Sequence, residues 1–142
     1  MTQRDERLDL KHVLVVEDEY LIALSLKQML FELGVEHVVI AENVDKALEE
    51  LAHKRPDCTL LDINLGLDYS YKVGDALRQK NMPYVFCTAH SANLDLLFPF
   101  AGDAPRITKP VSKEELVQAV LTAVHVGSST NIIAEAGSGR GI

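Results

Sequence analysis

The sequence predicts an α/β domain, a doubly wound five-stranded parallel sheet with helices on both faces. Three observations predict it. Short apolar, β-rich runs alternate about five times with stretches of helical spacing, the order that builds βα units with right-handed crossovers. One run, Cys58-Thr59-Leu60-Leu61, is almost wholly apolar and follows the turn Pro56-Asp57, as a strand covered on both faces does. It ends in a lone carboxylate, Asp62, and the C-terminal ends of strands are where open α/β sheets bind ligands.

The elements follow in order. After a charged arm, residues 1–10, His12-Val13-Leu14-Val15-Val16 reads as the first strand and runs into Glu17-Asp18-Glu19. From Tyr20 the spacing is helical. Leu21, Leu24, Met29 and Leu33, with Ile22, Leu26 and Leu30, form a wide apolar stripe, and Gly34 suits the position just past the helix. His37-Val38-Val39-Ile40-Ala41 is the second strand. Asn43 is the N-cap of a helix reaching about Lys54, with Ala47, Leu48 and Leu51 inward.

The Asp62 strand is third. A loop through Gly66, Asp68 and Ser70 leads to a helix near Tyr71–Lys80, with Val73, Ala76 and Leu77 inward. Pro83-Tyr84-Val85-Phe86-Cys87-Thr88 is the fourth strand. The fourth helix, over Ser91–Phe100, is weak, because Pro99 and Gly102 break it. A short fifth strand around Arg106-Ile107-Thr108 ends at Lys109-Pro110. Ser112-Lys113-Glu114-Glu115 is a capping box opening a last helix with Leu116, Val117, Val120 and Val124 inward. Residues 127–142, rich in Gly, Ser and Ala, suit a flexible tail.

Composition narrows the function. The chain has 142 residues, 47% hydrophobic and 25% charged, an ordinary globular balance for one domain. A net charge of −7 with no Lys/Arg stripe argues against a nucleic-acid partner. No run approaches the length of a membrane span, and the N-terminus lacks the apolar core of a signal peptide. These features suit a cytoplasmic protein. Both cysteines, Cys58 and Cys87, read as small buried hydrophobes, several residues out of level and so too far apart for a disulfide.

Polar chemistry collects at four strand ends: Glu17-Asp18, Asp62, Thr88 and Lys109. The strands that carry them open onto one rim of a doubly wound sheet. Crowded carboxylates resist ionising unless a cation is present, and oxygens from Asp18, Asp62 and a backbone carbonyl suit Mg²⁺. A lysine and a threonine hydroxyl beside them supply charge neutralisation and a hydrogen-bond donor for a transferred phosphoryl group. With the cation bound, Asp62 can act as a carboxylate nucleophile forming an acyl phosphate.

These motifs, Val-Leu-Val-Val-Glu17-Asp18-Glu19, Leu-Leu-Asp62-Ile-Asn64, Phe-Cys-Thr88-Ala and Thr-Lys109-Pro110, resemble the four signatures of the two-component response-regulator receiver domain. Each motif alone is weak, and all four in order are highly specific. The resemblance spans residues 11–126 and implies a flavodoxin-like sheet in the order 2-1-3-4-5. It further implies that Asp62 accepts phosphate from a sensor histidine kinase or a histidine phosphotransfer protein. Asp18, Asp62 and the Asn64 main-chain carbonyl would hold Mg²⁺ (or Mn²⁺), with Glu17 acting through water. Thr88 would hydrogen-bond the phosphoryl group, Lys109 would pair with it, and the peptide before Pro110 would be cis.

The sequence departs from the family in three places. Arg106 stands where receivers carry the aromatic switch residue, three positions before the lysine. Ala89-His90-Ser91 leads into the weak fourth helix, which alters the usual output face. The region also resembles an alphaproteobacterial subset of stand-alone receivers with a Phe-X-Thr-Gly-Tyr-like fourth strand, though Ala89-His90 miss its Gly-Tyr. His90 reads either as a group facing the phosphate or as a surface histidine, and Arg106 as exposed.

Three functions compete. The favoured one is a single-domain, phosphorylation-driven switch whose only chemistry is acquiring and hydrolysing its own phosphate, and so not an enzyme in the usual sense. Its output would be homodimerisation, binding of an unknown protein target, or drainage of phosphate from a kinase. The alternative is a receiver-like binding module that works without phosphate. The third is a hydrolase of the haloacid-dehalogenase kind. Such hydrolases need an acid two residues after the nucleophile, and Asn64 occupies that position.

Overall fold

The computed structural model describes residues 7–65, 68–88 and 104–125. Five parallel strands form the sheet: β1 (His12–Val16), β2 (His37–Ala41), β3 (Cys58–Asp62), β6 (Tyr84–Thr88) and β7 (Arg106–Thr108). Their spatial order is β2-β1-β3-β6-β7, the predicted 2-1-3-4-5 arrangement. Three helices connect them, α1 (Tyr20–Glu32), α2 (Val44–His53) and α3 (Tyr71–Gln79), and a last helix covers residues 113–125. The segments predicted as the weak fourth helix and the tail, together with Ala89-His90-Ser91, lie outside the described residues.

Strand alternation divides the core in two. Val13, Val15, Leu60, Val85 and Cys87 point to one face, where Leu26 and Leu30 of α1 and Leu116 and Val120 of the last helix cover them. Leu14, Val16, Leu61 and Phe86 point to the other, against Ala47 and Leu51 of α2 and Val73 and Leu77 of α3. β3 is buried at all five positions, as its unbroken apolar run predicts. Leu8, within the charged arm, is also buried, and its N–H donates to the Leu33 carbonyl.

The predicted caps are present. The Asn43 side chain accepts from the Lys46 N–H at 2.8 Å. Ser112 Oγ accepts from the Glu115 N–H at 3.1 Å, and Glu115 Oε1 accepts from both the N–H and the hydroxyl of Ser112. Gly34, at φ +102°, closes α1: its N–H reaches the Phe31 carbonyl and the Val35 N–H reaches Leu30, a Schellman motif.

Two local readings differ from expectation. On α1 the buried face is Ala23, Leu26 and Leu30, with Leu33 at the cap, whereas Leu21 is 79% exposed and Leu24 is also exposed. The helix is apolar on nearly every side, so spacing alone did not select the inward face. The predicted loop after Asp62 contains a small antiparallel ribbon, β4 (Asn64–Leu65) with β5 (Asp68–Tyr69). Both the N–H and the hydroxyl of Ser70 donate to the Ile63 carbonyl, at 3.1 and 3.0 Å, and tie the base of the ribbon together.

Candidate functional site

Parallel register brings the rim residues level. Val16 pairs with Leu61 and Asp62 with Cys87, so Glu17, next after Val16, lies beside Asp62. Thr88 pairs with Thr108, which sets Thr88 and Lys109 just beyond the same line. One carboxylate oxygen from each of Glu17, Asp18 and Asp62 lies within 4.8 Å of the other two. Glu17 is 2% exposed and Asp62 6%, while Asp18 faces solvent.

Lys109 is the counter-charge. Its ammonium donates to Glu17 Oε1 at 2.7 Å and to Asp62 Oδ1 at 3.3 Å. The other Glu17 oxygen accepts from the Glu19 N–H at 3.2 Å, which fixes the carboxylate while it caps the approach to α1. The Lys109 N–H donates to the Thr88 carbonyl at 2.7 Å, and the Lys109–Pro110 peptide is cis, as expected. Thr88 itself is buried at the end of β6. Asn64 begins β4, two residues beyond Asp62. Arg106 is exposed on the edge strand β7, and His90 lies outside the described residues.

Three acids meet one lysine, and the site stays short of positive charge. Burial pushes the Asp62 carboxyl up to about 7, the charges of Glu17 and Asp18 push the same way, and Lys109 only partly offsets them. For Lys109, burial works against the charged form, but its bonds to Glu17 and Asp62 outweigh it and raise the ammonium above its usual range. An all-oxygen cluster with uncompensated negative charge fits a hard divalent cation, so these residues can hold a metal ion.

Sequence reasoning named every member of this cluster. It did not foresee that Lys109 would grip Glu17 more closely than Asp62, because that depends on how side chains 92 positions apart meet in space. Nor did it foresee the exposed apolar face of Tyr20, Leu21 and Leu24, which begins two residues after Asp18. Cys58 and Cys87 are buried free thiols, and burial raises both, Cys58 to about 12, so neither offers a thiolate to this chemistry.

A doubly wound sheet with acids and a lysine converging at its carboxyl rim defines a flavodoxin-like α/β domain of the receiver kind. The sequence model described as Response regulator receiver domain matches residues 13–121, and the chain belongs to that family. Sensory transduction protein LytT of Bacillus cereus is 41% identical over 110 residues, 75% of this chain and 44% of LytT. The chain thus spans less than half the length of that relative. Among solved structures, SdrG from Sphingomonas melonis Fr1 aligns with a TM-score of 0.70 at 32% identity, covering 81% of this chain and 97% of SdrG. The signal receiver domain of a modulated diguanylate cyclase from Desulfovibrio desulfuricans G20 aligns with a TM-score of 0.76 at 27% identity, covering 86% and 99%. No helix among the described residues is long and apolar enough to cross a membrane.

Proposed function

We propose that this receiver domain accepts a phosphoryl group on Asp62 from a phosphohistidine of a sensor kinase or phosphotransfer protein. An oxygen of Asp62 forms the new bond to phosphorus as the donor's P–N bond breaks, leaving an aspartyl phosphate. The observation that carries this reading is the convergence of Glu17, Asp18 and Asp62 within ligating reach of one another, with Lys109 bonded to Glu17 and Asp62. Mg²⁺ or Mn²⁺, held by Asp18, Asp62 and the Asn64 main-chain carbonyl with Glu17 acting through water, would neutralise charge building on the phosphoryl oxygens. Lys109, released from its pairing with Asp62, then binds a phosphoryl oxygen, and the Thr88 hydroxyl donates to another.

The exposed Tyr20, Leu21 and Leu24 supply an apolar surface beside the acids for docking the donor. Residues 11–126 form the functional unit, flanked by residues 1–10 and 127–142. A single-domain regulator is the form this proposal takes. Output then passes through protein–protein contact, or the domain drains phosphate from its donor.

Incubation with acetyl phosphate and Mg²⁺ followed by intact-mass spectrometry tests the chemistry. One phosphoryl adduct is expected on the native chain and none on Asp62→Asn. An unmodified native protein, or an undiminished adduct in the variant, refutes the assignment.

A further inference from the structure

The two edges of the sheet differ. β7 is three residues long, with Arg106 and Thr108 exposed, the short and charged sort of edge that discourages further pairing. β2 is five residues long and in register with β1 along its whole length. Its Val-Val-Ile-Ala stretch has no charge, proline or glycine, so it offers a template for another strand.

The His37 N–H reaches the Lys11 carbonyl and the Ala41 carbonyl accepts from the Glu17 N–H, so these residues and Val39 between them face β1. Alternation therefore turns the N–H and C=O groups of Val38 and Ile40 outward. Among the described residues no strand pairs with them. Beside this edge α2 leaves a cleft of about 500 Å³, lined by Val39, Ile40 and Ala41 on the strand and by Lys46, Glu49, Glu50 and His53 on the helix.

We propose that this edge is a homotypic interface, in which β2 of one copy pairs antiparallel with β2 of a second copy about a two-fold axis through Val39. Val38 then stands opposite Ile40 of the other copy, and the two pairs exchange four main-chain hydrogen bonds. The interface is isologous and closes on itself as a dimer.

Charge bears on the occupant. Lys46 lies at the Ala41 end of the cleft, where it pairs with Glu42 at 3.1 Å. Glu49 is one helical turn further along, and among the described residues its carboxylate has no ion-pair partner. A two-fold axis normal to the sheet keeps both α2 helices on the same face, running in opposite directions. Lys46 of each copy therefore approaches the Glu49 and Glu50 side of the other. This interface is independent of the phosphoryl chemistry, so its failure would leave the reading of Asp62 untouched.

Amide hydrogen exchange and sedimentation of the full chain over a range of concentrations test it. In dilute solution the Val38 and Ile40 amides should exchange quickly while those of His37, Val39 and Ala41 are protected. At high concentration Val38 and Ile40 should slow several-fold as the sedimentation coefficient rises towards that of a dimer. Lys46→Glu, a change at an exposed side chain, should weaken association, and Lys46→Glu combined with Glu49→Lys should restore it. A chain that sediments as a monomer throughout, or protection of Val38 and Ile40 that does not change with concentration, overturns the proposal.

Discussion

Asp62 is held in an environment that disfavours its own charge. Its ordinary carboxyl value of 3.8 rises to about 7 in the fold, chiefly through burial and then through Glu17, with Lys109 opposing. Because the folded value lies above the unfolded one, this group's contribution to stability is full below about pH 4 and is lost as pH rises through 7. In metal-free buffer Asp62→Asn should therefore be more stable than the native chain at pH 8, by roughly 1–3 kcal/mol, and the difference should shrink towards pH 5. Urea unfolding with a chelator at the two pH values measures it, and a pH-independent difference would mean that Asp62 is not strained. At this scale much was legible, because acids at strand ends mark themselves in the sequence. What could not be read was the partnership. Lys109 bonds Glu17 at 2.7 Å and Asp62 at 3.3 Å, a preference between two acids that a strand-end position alone does not reveal.

Among the elements, α1 shows where pattern loses its meaning. Tyr20, Leu21, Ile22, Leu24, Leu26, Met29, Leu30 and Phe31 ring the helix with apolar groups, so its apolar stripe is too wide to single out one inward face, as the narrower stripes of α2 and the last helix do. The sheet chose Ala23, Leu26 and Leu30 and left Leu21 in solvent. Leu30→Ala should cost about 3 kcal/mol by opening a cavity in a site with no exposed surface, whereas Leu21→Ala should change stability by less than about 0.5 kcal/mol. Comparing the two urea midpoints checks the facing, and equal losses would mean that α1 is rotated. The β4–β5 ribbon was missed for another reason. Two-residue strands have no periodicity to detect, and what ties this one is a pair of hydrogen bonds from Ser70 to one carbonyl. The five strands of the main sheet are legible for other reasons: β3 and β6 are buried at every position and read as unbroken apolar runs, while the partly exposed β2 and β7 are marked by short β-rich runs alternating with helices.

For the molecule as a whole, the excess of negative charge and the acidic rim suit the folded state to receive a divalent cation. A divalent ion that binds the folded chain and not the unfolded one stabilises it by mass action, about 2.7 kcal/mol at a concentration a hundredfold above its dissociation constant. For a domain of this size that corresponds to roughly 10 °C in melting temperature. A net charge of −7 complicates the experiment, since any salt screens self-repulsion and raises stability somewhat. Two comparisons separate the effects. Potassium chloride at matched ionic strength should give only the screening part, whereas Mg²⁺ should add the larger, chelator-reversible shift. Asp18→Asn should remove most of that shift and barely alter the melting point without metal, because Asp18 lies in solvent and makes none of the contacts that hold Glu17 and Asp62. If Mg²⁺ and potassium gave equal shifts, or if Asp18→Asn responded fully to Mg²⁺, the rim would be a patch of charge with no specific site.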